Sequence, residues 1–154
     1  MKLKKGDMWS ALDHADLFLV TTNAMVRKDG ALVMGRGIAR EAATRYTQLP
    51  YEAGKWLKVS GLQRSFYGVL RPYPQLDHPM HKLGLFQVKF HWADDASLDL
   101  IANSTQVLRD LIEEEGYEDV HLNFPGIGNG RLSYSDVLPV VKHLPDAVTL
   151  WTRT

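Results

Sequence analysis

The chain has 154 residues, 45% of them hydrophobic, with 18 basic and 18 acidic side chains that cancel to a formal charge of zero. That size suits one domain with a packed core, and the balanced charge offers no chain-wide field to draw in nucleic acid or an anionic membrane. The absence of cysteine excludes disulfides, thiolate metal sites and a cysteine nucleophile.

In chain order, Lys2-Leu3-Lys4-Lys5 is basic but too short for a nucleic-acid arm. No secretory h-region follows it. Leu17 to Thr22 is apolar on both faces and reads as a buried strand. Met34-Gly35-Arg36-Gly37-Ile38-Ala39 opens a helix expected over 37–48, where Ile38, Ala42 and Tyr46 recur four apart. Pro50 ends or follows that helix, and a second short helix over 51–60 is closed by Gly61. Residues 67–71 and 83–88 read as strands, with a proline-broken connection between them. The clearest helix runs from Ser97 to Glu115. Leu98, Ile101, Leu108 and Ile112 share one face, Asp94 and Asp95 sit at its start, and Gly116 stops it. A strand over 118–124 leads into Pro125-Gly126-Ile127-Gly128-Asn129-Gly130. Ser133 caps a helix through Lys142, and 147–151 is a last strand.

Strands alternating with helices predict an α/β domain with a mostly parallel sheet, whose ligands sit at the carboxyl ends of the strands. Both glycine-rich segments fall there. Each joins a strand to a helix start, which aims backbone N–H groups and a helix dipole at one spot. A nucleotide diphosphate is the ligand such a pair fits. Asn23 offers an amide for sugar hydroxyls, or simply ends its strand. Asp7 reads equally as an acceptor for an amino edge or as a solvated turn aspartate. Trp151 reads as a stacking surface or a buried ring. The scattered histidines show no metal-ligand spacing, so no metal and no cofactor is expected. No apolar run approaches a membrane span.

These residues resemble a macrodomain, the ADP-ribose-binding family, over nearly the whole chain. Gly6-Asp7-Met8 is similar to the family's Gly-Asp-Ile motif, whose aspartate bonds the adenine amine. Thr22-Asn23-Ala24 is similar to its asparagine segment near the distal ribose. The two glycine loops are similar to its diphosphate and distal-ribose loops. The resemblance implies a single macrodomain over 1–154, a three-layer α/β/α sandwich around a mixed, mostly parallel sheet. It also implies an ADP-ribose site of Asp7, Met8, Asn23, Gly35, Arg36, Gly37, Ile38, Gly126, Ile127, Gly128, Asn129, Gly130, Arg131 and Trp151.

Gln87-Val88-Lys89-Phe90-His91-Trp92 resembles the Lys-x-His-Trp pattern of the DNA ADP-ribosyl glycohydrolase antitoxins. The related terminal ADP-ribose glycohydrolases also carry a lysine near here. In that branch the lysine acts at the anomeric carbon, which implies a catalytic Lys89. The terminal glycohydrolases have an aspartate just after the second loop. Here Arg131-Leu132-Ser133-Tyr134 stands there, and Asp136 lies farther on. The implied partner is ADP-ribose or an ADP-ribosylated DNA or protein, bound by a cytoplasmic monomer. The expected activity is hydrolysis of an ADP-ribosyl linkage. The alternatives are a non-catalytic reader or sequestering protein, or an ADP-ribose 1″-phosphatase.

Overall fold

A computed structural model describes residues 1–153. Six strands form one sheet: β1 (Lys2–Lys5), β2 (Leu17–Thr22), β3 (Val69–Leu70), β4 (Leu83–Gln87), β5 (Val120–Asn123) and β6 (Val148–Thr152). Their spatial order is β1-β6-β5-β2-β4-β3. Every pairing is parallel except that of β3 with β4 at one edge.

The alternation of side chains along a strand sorts the core into two layers. On β2, Phe18 and Val20 face α1 (Gly37–Arg45) and α2 (Leu49–Val59), packing with Ile38, Ala42, Leu49 and Leu57. Leu17 and Leu19 face the other side, against α3 (Leu98–Glu115) and α4 (Tyr134–Val141), with Ile101, Leu108, Val137 and Val141. The sheet is therefore covered on both faces, as parallel strands require. Among the described residues, no helix is long and apolar enough to cross a membrane.

Apart from β1, the elements follow the expected order with shifted bounds. α1 stops at Arg45, not Gln48, and Pro50 lies in the first turn of α2, where its missing N–H leaves no bond unmade. The strand expected over 67–71 keeps only two paired residues. Tyr67 is drawn away by its own bonds: its hydroxyl lies 2.5 Å from Thr22 Oγ1 and donates to the Asn23 carbonyl at 2.6 Å. α3 is capped by Ser97, which accepts from the Leu100 N–H at 3.2 Å, and it ends at Gly116. Asp94 and Asp95 precede this helix and do not lie in its first turn.

Strand β1 had no counterpart among the expected elements. All four of its residues are exposed, and it exists because β6 would otherwise be a bare edge. One close approach also escaped sequence reading. A Cβ built on Gly54 in α2 would lie 1.9 Å from the Gly30 carbonyl oxygen, backbone that has nowhere to go. Gly54→Ala is therefore expected to cost up to about 3 kcal/mol by overpacking, lowering the melting temperature by roughly 6–12 °C in a chain of this size. An unchanged thermal midpoint would contradict this packing.

Candidate functional site

Helices α1 and α4 follow β2 and β5, neighbouring strands, but lie on opposite faces of the sheet. The chain therefore parts at the carboxyl ends of these strands, and a crevice opens between the two departures. This cleft has a volume of about 1360 Å³. Ordinary small-molecule pockets run roughly 300–1,000 Å³, so this one suits an extended ligand.

The first glycine loop reaches the cleft by a short excursion after β2. Val26 bridges Leu32, and the Asn23 amide ties both ends: it donates to the Val33 carbonyl at 2.9 Å and accepts the Met25 N–H at 2.8 Å. Arg36 then leads into α1 and provides no side-chain cap. The first-turn N–H groups of a helix have no intrahelical acceptor, and the first-turn residues Gly37 and Ala39 line the cleft beside Gly35. The second loop forms a 3₁₀ turn over Gly128–Gly130, also without a side-chain cap. It is anchored by the Ala96 N–H donating to the Gly130 carbonyl at 2.9 Å and the Leu132 N–H donating to the Gly126 carbonyl at 2.9 Å. The two loops nearly touch, since a Cβ on Gly37 would lie 3.3 Å from Asn129 Nδ2. Two uncapped turns thus face one space.

The charges that cancel along the chain do not cancel here. Lys4, Lys5, Arg36, Lys89, Arg131 and Arg153 line the cleft, with Asp94 as the one carboxylate among its lining residues. Such a concentration of cation in a concave site favours an anionic ligand.

Lys89 stands just beyond β4. Its ammonium donates to the carbonyls of Trp92 and Asp94, each at 3.2 Å. Burial lowers its pKa below the ordinary 10.5; Asp94 and Asp95 pull the other way, and Arg131 adds to the lowering. Arg131 pairs with Asp95 at 3.7 Å and adopts a left-handed φ of 64°, a conformation a glycine would take without strain. Trp92, 54% exposed, forms part of the rim, as does Tyr134, stacked on Phe124 at 4.4 Å.

Of the residues expected at the site, the structure brings Asn23, Gly35, Arg36, Gly37, Lys89, Gly126, Ile127, Gly128, Asn129, Gly130, Arg131 and Trp151 into the cleft wall. Three lie elsewhere. Met8, 4% exposed, and Ile38 of α1 turn their apolar side chains into the core. Asp7 is exposed and caps a short 3₁₀ turn, its Oδ1 accepting the Trp9 N–H at 3.0 Å. Trp151 is nearly buried, and Lys4 Nζ sits 4.9 Å from its ring centroid. Asp136 is exposed in the first turn of α4, outside the cleft lining, so no carboxylate replaces the one absent after the second loop.

Sequence reading missed Thr21 and Asn123, which lock the floor between β2 and β5. Asn123 Oδ1 accepts the Thr21 N–H at 3.0 Å, and its amide donates to Thr21 Oγ1 at 2.9 Å. An asparagine closing an otherwise apolar strand, as Asn23 does on β2, was the available signal. Lys4, Lys5 and Arg153 were missed because no motif surrounds them.

This three-layer sheet, with its paired glycine loops at the switch point, is the macrodomain fold. Among solved structures it resembles the macrodomain of Mycobacterium tuberculosis DarG at 28% identity and a TM-score of 0.68, covering 99% of this chain and 98% of that one. The macrodomain of Thermus aquaticus DarG matches at 18% identity and a TM-score of 0.71, covering 99% and 97% of the two chains. Thermosipho africanus DarTG, solved in complex with ADP-ribose, matches at 21% identity and a TM-score of 0.72, over 97% of this chain and 40% of that longer one. Two of these three neighbours are DarG macrodomains, so the likeness in fold is to that branch. No protein-family profile matches the sequence, and no curated protein matches it.

Proposed function

We propose that this cleft binds ADP-ribose and that Lys89 cleaves an ADP-ribosyl linkage there. The observation that carries the reading is the meeting of two uncapped glycine turns over a cation-lined cleft. A diphosphate accepts from backbone N–H groups at both turns, and the helix dipole of α1 adds to the attraction. The ADP-ribose bound in the Thermosipho africanus structure supports the choice among diphosphates. The volume of the cleft leaves room for a sugar beyond the phosphates, and Lys89 is in its lining.

For chemistry, the Lys89 amine would bond to the anomeric carbon of the distal ribose as the bond to the leaving group breaks. The bonding pair departs with the leaving group. Water then cleaves the new C–N bond, restoring the amine and freeing ADP-ribose. Lowering of the amine pKa by burial favours the unprotonated nucleophile. The fixed N–H donors hold the diphosphate without a metal. One observation favours a second reading, a non-catalytic reader. With Asp136 outside the cleft, no side-chain carboxylate follows the second loop to act on water.

ADP-ribose is expected to bind at least about tenfold more tightly than AMP, roughly 1.4 kcal/mol, because AMP lacks the second phosphate and the distal ribose. Titration calorimetry with both ligands measures this, and equal affinities would remove the paired-loop site. A panel of DNA-, protein- and phosphate-linked ADP-ribose then separates hydrolase from reader. DNA-linked substrate comes first, since Lys89-Phe90-His91-Trp92 resembles the DNA-directed branch.

A further inference from the structure

Behind the cleft wall, three ionisable groups that the proposed reaction does not use meet at one point. His14 Nδ1 lies 2.9 Å from Asp119 Oδ2, and His121 Nε2 lies 2.9 Å from Asp119 Oδ1. On its other side, His121 Nδ1 accepts the Trp151 indole N–H at 2.9 Å. One ligand atom from each of the three ionisable residues falls within 4.8 Å of the others, spacing that would suit a divalent cation. The hydrogen bonds argue for something else. An indole nitrogen can only donate, so His121 Nδ1 must keep its lone pair. In the neutral ring the proton then sits on Nε2, where Asp119 accepts it. Both nitrogens of His121 are committed, and neither has a lone pair left for a metal.

What the chain of bonds does hold is Trp151. Its indole lines the cleft, while its N–H points inward to His121, 5% exposed. We propose that His121 is a positioning residue for the cleft: held as the Nε2–H tautomer by Asp119, it fixes the Trp151 indole, so that protonating His121 releases Trp151 and weakens nucleotide binding. This rests on the ADP-ribose reading of the cleft.

The groups facing His121 come from two strands and two connecting segments. Asp119 precedes β5, His14 follows the first 3₁₀ turn, Lys4 lies on β1, and Trp151 lies on β6. Burial lowers the His121 pKa below 6.5; Asp119 opposes this, and His14 and Lys4 reinforce it. Burial pushes Asp119 up, but hydrogen bonds and charge from His14 and His121 outweigh it and leave its carboxyl below 3.8. Asp119 therefore stays ionised while His121 titrates. His121 is neutral at neutral pH. Once protonated, its Nδ1–H would face the indole N–H, two donors with no acceptor between them, and the buried pair must part. Affinity is thus full above the His121 pKa and falls as pH drops through it.

The test uses two readouts on the whole chain. In ligand-free protein, the Trp151 indole N–H resonance, assigned with Trp151→Phe, is followed from about pH 7.5 downward until the His121 ring is fully protonated. It should move with the same midpoint as the His121 ring. Over that range the Kd for ADP-ribose should rise at least about fivefold. His121→Asn puts a carbonyl acceptor near the position of Nδ1 and cannot titrate. It should bind within about threefold of the wild type near neutral pH and show a flat profile. His121→Leu, with no acceptor, should bind weakly at both ends of the range. An indole resonance that ignores the His121 titration, or a His121→Asn profile as steep as the wild type's, would overturn the proposal. If ADP-ribose bound at no pH, the ligand reading would fall on its own. The indole resonance would still decide the coupling, supporting it by tracking His121 and overturning it by not doing so.

Discussion

Replacing Lys89 with alanine is expected to abolish release of ADP-ribose from a modified substrate, by at least about a hundredfold, while binding of free ADP-ribose stays within about tenfold. The split follows from what the amine touches. Its own partners are the backbone carbonyls of Trp92 and Asp94, whereas the affinity for ADP-ribose would come mainly from the glycine turns. Lys89 would contribute in the transition state and so in the rate. The pH dependence has a definite sign. Only the free amine can form the bond, so turnover should rise with pH until the amine has lost its proton, and level off below 10.5 because burial lowers its pKa. Single-turnover assays across pH, with calorimetry of Lys89→Ala, measure both halves. A wild type that binds free ADP-ribose yet releases none from DNA-, protein- or phosphate-linked substrates would leave the reader in place of the enzyme.

Gly128→Glu is expected to weaken ADP-ribose binding by at least about a hundredfold, roughly 2.8 kcal/mol, without unfolding the chain. Nothing lies within 4 Å of a Cβ built at Gly128, so the side chain has room. The position has a φ of 64°, and an L-residue there costs about 1–2 kcal/mol of backbone strain. That strain alone does not remove the ligand. The carboxylate does, because it enters the space between two turns whose N–H groups and cationic neighbours await an anion. Gly128→Ala is the control, carrying the strain without the charge, and should retain most of the affinity. A folded Gly128→Glu protein that binds normally would make the second loop purely structural.

Much of the site was legible because its parts are contiguous in the chain. A glycine turn between a strand and a helix carries its own chemistry, and both such segments lie in the cleft wall. The place of Lys89 in the cleft was suggested only by a resemblance, since nothing local distinguishes it from a lysine at an exposed strand end. Asp7, Met8 and Ile38 were named from the same resemblance, and the structure places them outside the cleft lining. A motif names a neighbourhood, but the core decides which of its side chains turn inward, and Met8 and Ile38 turned into it.

Apart from β1, the sequence by itself determined the element order, the apolar strands and the two anion-ready turns, because propensity, periodicity and turn chemistry act over a few residues. Only the tertiary structure decided what the long-range contacts create. Strand β1 carries three lysines and no apolar alternation, and it exists because β6 offers an edge. Gly54 is required by the Gly30 carbonyl, 24 positions earlier in the numbering. A formal charge of zero along the chain becomes a cationic cleft once Lys4, Arg36, Lys89, Arg131 and Arg153 are gathered from separate elements. His14, Asp119, His121 and Trp151 form one hydrogen-bonded chain only after strand pairing sets β5 beside β6. Charge and hydrogen bonding depend on distance in space, and that distance is set by the sheet order rather than by position along the chain.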